Sequence, residues 1–215
     1  QTNAINEINR DLKSNKKMFR LLQGDVGSGK TVVSLISSLN VINSGYQVSF
    51  MAPTEILATQ HFNLAKKIFD KKINIQLLTG KTENKIRKNI IANLKEKKID
   101  MLIGTHSLFQ EKIVYKKLGL VIIDEQHKFG VKQRKSLSDK GGRYCDVLVM
   151  SATPIPRTMI MTVFGDMDVS IIKDKPKNRK EIKTYSKIDY KIDEIIKFSK
   201  KEISKDNQIF WVCPL

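Results

Sequence analysis

The strongest constraint on this chain is one run, Gly24-Asp25-Val26-Gly27-Ser28-Gly29-Lys30-Thr31. It fits G-x-x-x-x-G-K-[ST], follows the apolar stretch 18–23 and opens the amphipathic stretch 31–43. A glycine-rich loop between a strand and a helix turns its backbone N–H groups inward at the positive end of the helix, which makes a nest for anions. Chance produces the pattern in about one chain in a hundred of this size. In such a loop Lys30 reaches the β- and γ-phosphates, and the Thr31 hydroxyl ligates Mg²⁺. Gly24, Gly27, Ser28, Gly29, Lys30 and Thr31 are therefore the candidate nucleotide-binding residues.

The rest of the chain supplies the sheet that such a loop needs. Apolar runs of strand length occur at 18–23, 46–51, 74–78, 100–104, 118–123 and 145–150. Amphipathic stretches of helical length lie between them at 31–43, 55–69 and 83–97. Short continuous Val/Ile/Leu runs suit parallel strands buried on both faces. Their alternation with helices predicts a doubly wound, mostly parallel α/β sheet in three layers, α/β/α, with ligands beyond the carboxyl ends of the strands. A charged stretch with one proline at 173–180 reads as a linker. It separates a first domain, 1–172, from 181–215, where a strand (182–186), a helix (189–204) and a strand (208–213) are expected as the start of a second domain.

Two further motifs follow apolar runs. Asp124 and Glu125 close Val121-Ile122-Ile123. At a strand's carboxyl end, Asp124 suits Mg²⁺ and Glu125 suits orienting and deprotonating an attacking water. Ser151 and Thr153, just past 145–150, offer hydroxyls to those carboxylates or to His127. His61 and His106 show no metal-ligand spacing with His127 or with cysteine, so no zinc site is expected.

Composition narrows the partners. Of 215 residues, 39 are Lys or Arg and 22 are Asp or Glu, a net charge of +17. Such a surplus favours a polyanion, most often nucleic acid. Most of it sits in two stretches: 66–98 holds 11 basic and 3 acidic residues, and 173–205 holds 12 and 6. In the first, Ile86, Ile90, Ile91 and Leu94 recur at helical spacing, which turns Lys85, Lys88, Lys95, Lys97 and Lys98 toward water. No apolar run is long enough to span a membrane, and Gln1-Thr2-Asn3 does not open a signal peptide. Cys145 and Cys213 lie in apolar runs, as buried thiols in a reducing, cytoplasmic compartment would.

Together these residues resemble the superfamily 2 helicases. The loop at 24–31, Asp124-Glu125-Gln126-His127 and Ser151-Ala152-Thr153 are similar to that superfamily's Walker A, Walker B and third motifs. Leu22 to Val33, Met51 to Ala58, Gly104-Thr105-His106, Asp124 to Val131 and Thr153 to Thr158 resemble the RecG-type branched-DNA helicases, in the family order. The resemblance implies a RecA-like first motor lobe that uses ATP and Mg²⁺. It implies that Gln1 is the adenine-reading glutamine of the Q motif. It also implies that Pro53, Thr54, Thr79, Gly80, Gly104, Thr105 and His106 lie along a DNA strand, held through phosphates without sequence readout. His127, Ser151 and Thr153 take the coupling role. Lys128 stands where the family commonly has Arg, keeping the charge and losing the planar fork.

The function so implied is ATP-driven remodelling of forks and Holliday junctions by a monomer. A transcription–repair coupling translocase shares most of these motifs, but that group usually carries an aromatic at the Ser28 position and Glu at the Gln126 position. A P-loop kinase or switch accounts for 24–31 alone, and a basic module with a vestigial nucleotide site is disfavoured by intact Lys30, Thr31, Asp124 and Glu125. The family's wedge domain, most of its second lobe and its arginine finger are expected outside this chain. Such an arginine supplies a factor of roughly 10³–10⁵ in rate. Residues 1–215 alone are therefore expected to hydrolyse ATP poorly in a steady-state phosphate-release assay with or without DNA, and robust DNA-stimulated turnover would refute this.

Overall fold

Continuous apolar runs become parallel strands because both faces of the sheet are covered. In the computed structural model, the described residues are 1–70, 72–125, 145–153, 167–174 and 182–212. The chain divides into two compact units, Gln1–Lys177 and Asn178–Leu215.

The first unit holds seven strands: β1 (Phe19–Gly24), β2 (Gln47–Met51), β3 (Ile75–Leu78), β4 (Met101–Gly104), β5 (Leu118–Asp124), β6 (Asp146–Ser151) and β7 (Asp168–Ile172). They run in the order β3-β4-β2-β5-β6-β1-β7, and every neighbouring pair is parallel. Among the described residues four helices accompany them: α1 (Thr2–Leu12), α2 (Lys30–Asn43), α3 (Glu55–Phe69) and α4 (Asn84–Lys95). Side chains of alternate parity enter two cores. Leu22, Phe50, Ile122, Leu148 and Met150 meet α1, α2 and α3 on one face. Leu21, Met51, Val121, Ile123 and Val149 meet Ile90 and Leu94 of α4 on the other. This is the three-layer arrangement that the alternating runs predict.

Several expectations shift. The six expected strands form within a residue or two of their apolar runs, but α1 and β7 are additions. α1 buries Ala4 and Ile8 on one stripe, with three asparagines of low helix propensity among its residues. β7 is an edge strand with Ile171 exposed. Ile86 is half exposed and falls outside the α4 core stripe, while Lys85, Lys88, Lys95 and Lys98 face water and Lys97 is half-buried. Cys145 is a free, buried thiol pushed up to about 12 by burial, as an inert core cysteine is.

In the second unit one helix forms, α5 (Ile192–Ile203), after a 3₁₀ turn at Asp189–Lys191. The strands expected at 182–186 and 208–213 do not form among the described residues. A strand needs a hydrogen-bonded neighbour, and no described segment of that unit supplies one. Cys213 lies outside the described residues.

α1 is fastened to the sheet by a charge cluster. Arg20 of β1 is 8% exposed. Its Nε donates to Asp11 Oδ2 at 2.6 Å and its Nη1 to Ser170 Oγ at 2.9 Å, with Glu7 3.6 Å and Asp168 3.8 Å away. Arg20 is buried while Asp11 is partly exposed and Glu7 and Asp168 reach water, so its loss removes charge-assisted hydrogen bonds without stranding a buried charge, which costs about 1.5–3 kcal/mol. Arg20→Ala is expected to lose stability on that scale in urea denaturation of this chain. A loss below about 1 kcal/mol would show that the cluster does not hold α1.

Candidate nucleotide and nucleic-acid site

The strand register sets the site. Leu22, Met150 and Asp124 pair side by side across β1, β6 and β5, and Gln23 pairs with Ser151 one step further on. The phosphate loop, Asp124 and Ser151 thus leave the same edge of the sheet from three adjacent strands. This is the carboxyl edge, where doubly wound sheets bind ligands.

The loop has the conformation its glycines permit. Gly27 and Gly29 take φ values of +80° and +93°, a left-handed region that costs other residues about 1–2 kcal/mol. Gly24 is needed for close approach: a Cβ there would come within 2.6 Å of Ser28 Oγ and 3.1 Å of Ile172 Cβ. Lys30 opens α2, is 9% exposed, and donates through Nζ to Gly24 O at 2.7 Å and Asp25 O at 3.0 Å. Its ammonium is thereby held at the loop's own carbonyls, and engaging a phosphate exchanges those bonds for stronger charge-assisted ones. Ser28 Oγ is buried without a partner among the described residues. Thr31 is half-buried one residue into α2.

Gln1 caps α1 and meets this loop directly. Its Nε2 donates to Ser28 O at 2.8 Å, and a Cβ on Gly29 would lie 2.3 Å from that nitrogen. The Arg20 cluster that fastens α1 therefore also places Gln1.

Asp124 ends β5 with 7% exposure. Its Oδ2 accepts from His61 Nε2 at 2.7 Å, with the proton assigned to that nitrogen, and the His61 ring packs on Phe50 with centroids 4.8 Å apart. His61 carries no site role in the motif reading. The signal is its place on the buried stripe of α3, between Ala58 and Ala65, where a polar side chain needs a polar partner. Glu125 follows with φ +51°, its N–H donating to Met150 O at 3.0 Å. A non-glycine held there stores about 1–3 kcal/mol, a cost typical of functional positions. Ser151 and Thr153 bond each other, Oγ to Oγ1 at 3.0 Å, and Gln23 Nε2 donates to Thr153 O at 3.1 Å. This ties the third motif to the strand that carries the phosphate loop. His127 lies outside the described residues.

Asp124 and the Thr31 hydroxyl are hard oxygen donors of the type Mg²⁺ takes. Among the described residues no three His, Cys, Asp or Glu side chains converge on one point. These residues fit an ion held by one or two protein oxygens together with nucleotide phosphates.

The segments expected along DNA leave the same edge from the other half of the sheet. Leu78, Gly104 and Met51 pair across β3, β4 and β2, so Thr79, Thr105 and Pro53-Thr54 emerge together. Thr54 Oγ1 accepts from Leu57 N–H at 3.3 Å and caps α3. Thr79 is buried, and its carbonyl accepts from Arg87 Nη2 at 2.8 Å. Gly80 and His106 are exposed, while Thr105 is 2% exposed with Oγ1 unpartnered among the described residues. Gly104 is required by packing, since a Cβ there would sit 2.2 Å from Leu78 O.

A DEAD/DEAH box helicase family model matches residues 1–162. The chain belongs to the DEAD/DEAH box helicases. Within that family it is 48% identical over 217 residues to the ATP-dependent DNA helicase RecG of Aquifex aeolicus (strain VF5), covering 100% of this chain and 27% of the relative. Identity to RecG of Bacillus subtilis (strain 168) is also 48%, over 216 residues, covering 100% of this chain and 32% of that one. A solved RecG bound to a three-way DNA junction superposes with a TM-score of 0.82 at 44% identity, over 100% of this chain and 29% of that one. The DEAD-box helicase Mss116, at 19% identity and a TM-score of 0.63 over 94% of this chain and 47% of its own, shares the fold. The chain thus spans about a third of the curated relatives' length. As a DEAD/DEAH box helicase lobe it has a RecA-like, all-parallel sheet, and no described helix is long and apolar enough to cross a membrane.

Gly104→Ala is expected to lose about 1–3 kcal/mol of stability, because the added methyl forces β3 and β4 apart. Urea denaturation of this chain measures it, and an unchanged midpoint would show that the two strands separate freely there.

Proposed function

We propose that the protein containing this chain is an ATP-dependent DNA translocase that remodels branched DNA such as stalled forks and Holliday junctions, and that this chain is its nucleotide-binding motor lobe. The observation that carries the reading is the shared edge: phosphate loop, acidic pair and third motif leave the adjacent strands β1, β5 and β6, and the expected DNA segments leave β2, β3 and β4. Full-length similarity of the chain to RecG helicases, one of them solved on a three-way DNA junction, supports branched DNA as the substrate. The transcription–repair coupling alternative has no comparable support.

The roles in this reading are those the motifs and the family resemblance imply, and the positions described above support them. Gln1 reads the adenine. Gly24, Gly27, Ser28, Gly29 and Lys30 hold the phosphates, with the Lys30 ammonium countering charge as it develops. Thr31 and Asp124 hold Mg²⁺, which when bound neutralises phosphate charge. Glu125 orients the attacking water and accepts its proton. Pro53, Thr54, Thr79, Gly80, Gly104, Thr105 and His106 track the DNA backbone, and Ser151, Thr153 and His127 relay between the sites. The lysine-rich stretches add long-range attraction that salt weakens steeply. The motor acts as a monomer in the cytoplasm, with a second lobe and a wedge domain from the same polypeptide.

In the full-length protein, Lys30→Ala is expected to cut ATP hydrolysis by about 10²–10³-fold and to abolish fork unwinding while forked-DNA affinity is kept. Unwinding at the wild-type rate would overturn the reading.

A further inference from the structure

α3 starts at one site and reaches the other about two turns along, through His61 on its buried face. Its cap residue Thr54 belongs to an expected DNA segment, and the Thr54 carbonyl accepts from Ala58 N–H at 2.9 Å. The second residue of that turn is also tied outward: Glu55 Oε1 accepts from Lys81 N–H at 3.3 Å, and Lys81 Nζ lies 3.5 Å from Glu55 Oε2. The loop at 79–81, which includes Thr79 and Gly80, is thereby pinned to the first turn of α3. Seven residues along, about 10 Å of helix rise, His61 turns inward and donates to Asp124. Both partners are buried, at 7% each, and the Phe50 ring backs the imidazole. A buried hydrogen bond to a carboxylate at 2.7 Å fixes that carboxylate's orientation. Thr54, Glu55 and His61 belong to one continuous helix and its cap, so the two ends of this path share one element.

We propose that His61 is a positioning residue that sets the Asp124 carboxylate for Mg²⁺ and makes that setting responsive to DNA held at the start of α3. The proposal rests on the motor reading given above. The bond is one of geometry: Nε2 faces Asp124 Oδ2 at 2.7 Å from the buried side of α3. His61 does not touch nucleotide or DNA and acts only through Asp124. Outer partners of metal-binding groups typically control affinity by 10–100-fold.

The test uses the full-length protein in three forms: wild type, His61→Ala and His61→Gln, whose amide nitrogen replaces Nε2. Binding of a fluorescent ATP analogue is titrated with Mg²⁺, and ATP hydrolysis is measured with and without forked DNA, alongside forked-DNA affinity and thermal denaturation. His61→Ala is expected to raise the Mg²⁺ needed for half-maximal nucleotide binding by about 10-fold or more, and to lose most DNA stimulation while keeping DNA affinity. His61→Gln is expected to restore most of both. An unchanged Mg²⁺ requirement in a folded His61→Ala protein would overturn the proposal. So would equal impairment of both variants with lowered thermal stability and no change in Mg²⁺ requirement, which marks a packing residue. If the wild type shows no DNA-stimulated hydrolysis, the motor reading fails and with it the DNA-responsive part. The Mg²⁺ titration then still decides whether His61 positions Asp124.

Discussion

The parallel ladder is the constraint on which everything else depends. Parallel strands send all their carboxyl ends to one edge, and the register puts Leu22, Met150 and Asp124 in one row. Three sequence motifs, more than a hundred residues apart at the extremes, then become neighbours through the strands that carry them. The same rule gathers the ends of β2, β3 and β4. On the proposed motor reading, the sheet alone brings the nucleotide and DNA segments to one edge.

Helices then refine what the edge provides. α1 carries Gln1 to Ser28 and is held by buried Arg20. α2 starts at Lys30, so its positive end faces the loop. α3 joins the DNA half to Asp124 through His61. These contacts are polar, part-buried at Gln1 and Arg20 and buried at His61, and the buried one is the costliest to leave unpaired. The apolar cores hold the layers together, and the polar contacts set where the site residues stand.

The legible part of the fold was the part with strong local chemistry. The phosphate loop needs particular glycines at particular spacings, and the Val/Ile/Leu strands are buried on both faces, so both show in a single sequence. α1 and β7 did not show, because α1 is rich in asparagine and β7 is a short edge strand with an exposed isoleucine. The strands expected at 182–186 and 208–213 had the right composition, but composition cannot supply a pairing partner. His61 has no metal-ligand spacing that would single it out in the sequence. Its importance lies in a contact with Asp124, 63 residues away, which only the packing of α3 on the sheet creates. The motif pattern places Gly104 in an expected DNA segment, and the packing adds a second demand, the close approach of Leu78 O.

The central claim is that one sheet edge serves two ligands in two halves. Hydrogen–deuterium exchange of the full-length protein tests it most directly, with a Mg²⁺–ATP analogue and forked DNA added separately. The account predicts that nucleotide protects amides of 24–31 and 124–125, and that DNA protects 53–54, 79–80 and 104–106. DNA protection confined to the lysine-rich face of α4, with those three segments unchanged, would contradict it.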